Sequence, residues 1–162
     1  MINGIDTEIL QILQENARTT NADIARRVGL VPSAIADRIR KLEERGIIQG
    51  YRARLDSRAL GLGLLAFVFV RTDDLCGESK AASEIAAVPE VLEIHHVAGE
   101  DCFLVKVRAA DTEELGRLLR ERIGNIASVR STRTTIVLHT SKETDAIPLR
   151  KEEIEPAEAH HA

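Results

Sequence analysis

Between Val31 and Arg45 the chain reads VPSAIADRIRKLEER, a stretch whose polar side chains suit contact with a polyanion. Ser33 and Ala34 are short and let a backbone come close to another surface. Arg38, Arg40 and Lys41 are long and cationic, and Asp37 stands among them. At about 100° per residue, Ile35, Ile39 and Leu42 share one side of a helix. Ser33, Asp37, Arg40 and Lys41 then point the other way, with Ala34 and Arg38 on one flank. Short residues first and basic ones later fit a helix laid in a DNA major groove. The pattern assigns Ser33, Ala34, Asp37 and Arg40 to base edges. It assigns Arg38 and Lys41, with Arg52 and Arg54 just downstream, to phosphates. Asp37 has the wrong sign for phosphate. It can accept from cytosine N4, or pair with Arg40 or Lys41 and orient them. The plain alternative is a solvated helix face, because Arg, Lys and Glu are good helix formers.

The elements that would position these residues are legible upstream. Ile5, Ile9, Ile12 and Leu13 give residues 4–16 one apolar helical face. Thr20 followed by Asp23 resembles a capping box, and Ala22, Ile24, Ala25 and Val28 give a short second helix. Gly29 can adopt the left-handed conformation that ends it. Pro32 suits the first turn of a third helix, and Gly46 can end that one. Three short helices with a tight turn between the last two form a helix-turn-helix pattern.

Beyond them, IIQGYRARL reads as a strand or an extended linker, and LGLLAFVFVRT as a strand. GESKAASEIAAV reads as a helix ended by Pro89, and VLEIHHVAG and CFLVKVRA as strands around a turn at residues 99–101. DTEELGRLLRERI reads as a helix capped by Asp111, and ASVRSTRTTIVLHT as a strand. The order β-α-β-β-α-β is the ferredoxin-like arrangement, so the fold class is α+β. The expected domains are residues 1–50 (helix-turn-helix), 51–62 (linker strand), 63–140 (ferredoxin-like) and 141–162 (a charged, partly mobile tail).

Bulk composition narrows the function. Aromatic residues make up 2% of the 162, which counts against single-strand binding by base stacking. The net charge of −4 hides an asymmetry: residues 1–58 hold ten Lys/Arg and eight Asp/Glu, the remainder twelve and eighteen. An anionic partner should therefore meet the first third. Cys76 and Cys102 are too few for a disulfide framework. MINGIDTEIL lacks the basic-then-apolar pattern of a signal peptide, and the apolar run 59–70 is too short to span a bilayer. A cytoplasmic protein with reduced thiols and no membrane partner is expected.

Other residue groups carry less chemistry. GLGLLA at residues 61–66 fits the dinucleotide pattern G-x-G-x-x-A, but a strand-like segment follows where that pattern needs a helix. His95 and His96 are neighbours in a strand and face opposite sides, which is poor geometry for one metal. No cofactor, metal ligand set or catalytic residue is assigned.

The stretches IDTEILQILQENAR, ADIARRVGLVPSAIADRIRKLEERGIIQGYRARLD, GEDCFLVKVRA and VRSTRTTIVL resemble the Lrp/AsnC, or feast/famine, transcriptional regulators. The resemblance spans roughly residues 4–140. It implies a winged-helix DNA-binding domain and a ferredoxin-like effector domain. It implies homodimers paired through their sheets, often assembled into octamers, with recognition helices about 34 Å apart on double-stranded DNA. It also implies an amino acid or related metabolite as effector, bound at Gly99, Glu100, Asp101 and Cys102. Two positions depart from the family pattern: Val31 replaces a common Ser N-cap, and Cys102 stands where many members carry an acid. Sirohaem decarboxylases resemble the same two-domain layout, with His95 or His96 acting on a tetrapyrrole carboxylate. A metabolite-binding module without DNA binding is the third alternative.

Overall fold

The computed structural model describes residues 2–73, 80–99 and 101–149. The chain divides into two compact units, Met1–Ala53 with Glu143–Ala162, and Arg54–Lys142.

The first unit contains α1 (Gly4–Glu15), α2 (Asn21–Val28) and α3 (Pro32–Glu44). Its core is aliphatic: Ile9, Ile12, Ile24, Ala25 and Ile35 are buried together, with Leu13, Val28, Leu30 and Ile39 packed around them. Local chemistry sets each helix boundary. Asn3 caps α1, accepting from the Asp6 N–H at 2.9 Å while Asp6 accepts from the Asn3 N–H at 3.3 Å. Thr20 caps α2, accepting from the Asp23 N–H and donating its own hydroxyl to the Asp23 carboxylate at 2.6 Å. Those bonds from Thr20, with Arg26 close by, hold the Asp23 carboxyl below its ordinary pKa. Gly29 ends α2 at φ +71°, a conformation that a β-carbon disfavours. Leu30 then donates back to the Ala25 carbonyl at 3.0 Å, and α3 begins two residues later. Val31 caps α3 without a side-chain hydrogen bond.

The described part of the tail does not stand alone. The Gln14 side chain donates to the Ile147 carbonyl at 3.1 Å and accepts from the Ile147 N–H at 2.6 Å. This paired bond accounts for the tail's membership of the first unit rather than of a separate one.

The second unit is an antiparallel sheet in the order β2-β3-β1-β4, with helices on one face. Its elements are β1 (Leu64–Thr72), α4 (Lys80–Ala86), β2 (Val91–His96), β3 (Phe103–Ala109), α5 (Thr112–Arg117) and β4 (Val129–Ile136). After Arg117 the helix widens into a π-type turn over Leu118–Ile123, closed by Gly124 donating to the Leu119 carbonyl at 2.8 Å. Ala66, Val68 and Val70 face Val107, Val105 and Phe103 across the β1–β3 ladder. These residues are buried with Ala81, Ile85, Leu115 and Leu118 of the helices. By strand alternation, Phe67, Phe69, Leu104 and Lys106 occupy the opposite face, where no helix packs among the described residues of this unit.

The order βαββαβ is thus the one expected. Of the two readings of IIQGYRARL, the extended connection holds, since residues 47–56 join no ladder among the described residues. The last strand ends at Ile136, short of Thr140. Gly77–Ser79 of the expected fourth helix lie outside the described residues. Gly61, at φ +79°, belongs to a turn that leads into β1, so GLGLLA has no strand before it and no helix after it.

The uncapped start of α3 generates a prediction. Val31 has extended backbone angles (φ −89°, ψ 150°) that serine adopts equally well. Val31→Ser should raise thermal stability by about 1 kcal/mol by giving the first turn a side-chain acceptor. An unchanged or lower melting temperature would show that the first-turn N–H groups are already satisfied.

Candidate nucleic-acid interface and effector loop

Helix α3 is held against α1 by an ion pair. Arg38 donates to Asp6 at 2.8 Å, and the Asp6 side chain is only 11% exposed. Asp6 also belongs to the α1 cap, so one carboxylate fixes both the start of α1 and the flank of α3. Ile35 and Leu42 are buried beneath, and the outer ridge of α3 is left free. That ridge carries Ser33, Asp37, Arg40 and Glu44, all exposed, with Lys41 beside it.

Arg40 is extended between two carboxylates of its own helix. It donates to Glu44 at 2.7 Å and to Asp37 at 3.3 Å. These bonds, Glu44 first, raise its pKa further and keep it fully cationic. Of the partners open to Asp37 in the sequence, Arg40 is therefore the one it takes in the free chain. Arg40 remains 56% exposed.

The cations of α3 are interleaved with acids. The helix carries Arg38, Arg40 and Lys41 against Asp37, Glu43 and Glu44, and so is neutral overall. On the flank toward α1, Arg38, Lys41 and Arg45 line a shallow groove of about 310 Å³ together with Ala34, Asp37 and Asp6. A second concavity of about 360 Å³ lies at the start of α2, where Arg18, Arg26 and Arg27 converge with Asn16. Arg26 is ion-paired with Asp23. Arg18, Arg26, Arg27 and Arg45 are basic residues that a search confined to the outer ridge of α3 passes over. The ARTTNADIARR stretch, three arginines around a helix start, is the signal that marks most of them. Arg52 and Arg54 are exposed in the extended connection. Tyr51 folds back onto α3, its hydroxyl donating to Glu43 Oε1 at 2.9 Å.

In the second unit, the loop between β2 and β3 turns at Gly99, with φ +133°, a value that glycine alone adopts readily. Asp101 and Cys102 go separate ways, as alternation requires. Cys102 is buried in the core, its Sγ 4.0 Å from the Thr72 carbonyl. Asp101 instead accepts from Arg133 of β4 at 3.0 Å. The Arg133 guanidinium lies 4.1 Å above the Phe69 ring, so it is stacked as well as paired. Glu100 lies outside the described residues. His95 approaches Glu93 at 3.3 Å, and His96 packs its ring 5.6 Å from Phe103, so the two diverge. Among the described residues no three His, Cys, Asp or Glu side chains gather as a metal site, and no helix is long and apolar enough to cross a membrane. Lys106, donating at 2.9 Å, and then His95 hold the Glu93 carboxyl below its usual value.

The sequence profile of the Lrp/AsnC ligand binding domain matches residues 65–147, and that of a winged helix-turn-helix DNA-binding domain matches residues 2–49. The chain belongs to the Lrp/AsnC family. It is similar to the HTH-type transcriptional regulator FL11 of Pyrococcus horikoshii, with 39% identity over 92% of this chain and 97% of that one. A transcriptional regulator of Neisseria meningitidis, solved as its L-methionine complex, superposes with a TM-score of 0.85 at 30% identity, covering 91% of this chain and 97% of that one. A feast or famine regulatory protein of M. tuberculosis, also complexed with L-methionine, gives 0.84 at 36% identity, covering 91% and 99%. This Lrp/AsnC protein is therefore a DNA-binding regulator of transcription that is modulated by a small-molecule effector. Its helix-turn-helix match ends before Arg52 and Arg54, and its ligand-domain match takes in both Gly99–Cys102 and Arg133.

Tyr51 offers a spectroscopic check on this Lrp/AsnC helix-turn-helix unit. It is the sole tyrosine and there is no tryptophan. Partial burial, and then the bond to Glu43, push its pKa up to about 12. The raised value means that its contribution to stability is complete below pH 10 and is lost as pH rises toward about 12. An ultraviolet titration should find phenol ionisation near 12, with Glu43→Gln moving it back toward 10. A wild-type midpoint near 10, with the fold intact by circular dichroism, would mean that Tyr51 does not dock on α3.

Proposed function

We propose that α3 is the recognition helix and reads a DNA major groove through its outer ridge. Ser33, Ala34, Asp37 and Arg40 meet base edges, and Arg38, Lys41, Arg52 and Arg54 meet phosphates. Arg18, Arg26, Arg27 and Arg45 extend the phosphate track on the sides of the same unit. The observation that carries this is the burial of Ile35 and Leu42 with Arg40 left exposed on the far side of α3. Arg38 keeps its bond to Asp6 and offers its remaining N–H groups to a phosphate, so it both orients α3 and contacts the backbone. Two copies act together, joined through the open sheet face that carries Phe67, Phe69 and Leu104. Assembly of such dimers into an octamer follows the pattern of the family.

Arg40→Ala should weaken binding to the preferred duplex by about 1–3 kcal/mol and relax preference at one base position. A gel-shift series with unchanged affinity and unchanged preference would remove Arg40 from the readout.

The effector is an amino acid or related metabolite, held at the loop of Gly99, Glu100, Asp101 and Cys102. Both L-methionine complexes among the similar structures support that class. Asp101 takes the part of the acid that Cys102 lacks, since Asp101 alone of the two reaches the sheet surface. The chain acts as a cytoplasmic regulator and not as an enzyme. Thermal shift against the common amino acids, L-methionine first, should identify a stabilising ligand. Gly99→Trp should abolish that shift, because its φ of +133° is strained for tryptophan, and leave DNA affinity in place. An undiminished shift would move the effector site away from this loop.

A further inference from the structure

We propose that Asp37 and Glu44 are specificity determinants that hold Arg40 away from phosphates and point it at base edges. This rests on α3 being the recognition helix. Arg40 uses one nitrogen on Glu44 at 2.7 Å and the other on Asp37 at 3.3 Å. A guanidinium has five N–H donors, so three remain. Its three remaining N–H groups are what it can offer to the O6 and N7 acceptors of guanine. Both pairs are exposed, so they bias Arg40 away from the sugar-phosphate walls without locking it.

The two acids also act directly. They are exposed on the same outer ridge, with side chains 67% and 58% accessible. Pressed into a groove, each meets phosphates of like sign, which disfavours every register alike. Only a base pair that presents an amino donor offsets that repulsion, and cytosine N4 is the donor that carboxylates accept from. The ridge therefore discriminates by repulsion as well as attraction. The site class it fits is a guanine opposite Arg40, flanked by base pairs that present cytosine amino groups. The neutral charge of α3 supports this: a helix built for affinity alone has no use for three acids among its thirteen residues.

The test uses the full-length protein and two probes: duplexes enriched from a random library by the wild type, and the unselected pool. Asp37→Asn and Glu44→Gln should each tighten binding to the pool by about three- to tenfold, because a like charge is removed. Affinity for the enriched duplex should change less, so the ratio between the two falls. Freed to reach a phosphate, Arg40 should steepen the salt dependence on the pool by about 0.9 in log–log slope in Glu44→Gln. Enriched duplexes should carry a guanine in each half-site, and its enrichment should weaken in both variants. Enriched duplexes whose advantage over the pool is the same in the wild type and both variants would overturn the role of the two acids alone. A wild type that enriches no sequence would overturn the recognition-helix assignment, and this inference with it.

Discussion

One buried carboxylate holds the first unit in register. Asp6 accepts from the Asn3 backbone at the start of α1 and from Arg38 on α3, and its side chain is almost out of water. A carboxylate in that position needs its partners, since removing one leaves a charge facing a low dielectric. The pairing therefore does more than add attraction. It sets the roll of α3 about its own axis, and that roll decides which side chains become the outer ridge. The aliphatic contacts of Ile9, Ile24 and Ile35 supply the burial energy, but apolar contacts are non-directional and tolerate rotation. The ion pair supplies the direction.

Charge arrangement, more than charge total, then distinguishes the two sides of α3. Arg38, Lys41 and Arg45 line the groove toward α1, and Asp37 stands between that groove and Arg40, which is held by two acids on the ridge. A surface that attracts a polyanion at its edges and is selective at its centre follows from that division. The same device recurs in the second unit, where Arg133 is tied to Asp101 and stacked on Phe69. In both places an arginine at a candidate binding surface is held by its own carboxylate, which limits the conformations that must be frozen when a ligand arrives.

Much of this was legible in the chain itself. The spacing of Ile35, Ile39 and Leu42, the left-handed Gly29 and the proline at 32 placed α3 within one residue of its observed end. CFLVKVRA read as a strand, and β3 runs from Phe103 to Ala109. What escaped was long-range pairing. Arg38 and Asp6 are 32 positions apart, and nothing local in either segment announces the other. Arg38 consequently read as a simple phosphate contact. Arg133 with Asp101 escaped for the same reason. The segment IIQGYRARL alternates as a strand does, yet alternation supplies no partner, and without one the backbone stays extended and unladdered.

The Gln14–Ile147 bond gives the first unit a piece of chain from each end of the sequence. Such a head is not a bead that recombination can lift out with a single cut. A chimera that joins a foreign helix-turn-helix to this effector domain at residue 53 inherits a tail fitted to another surface, and leaves that tail's peptide groups to water.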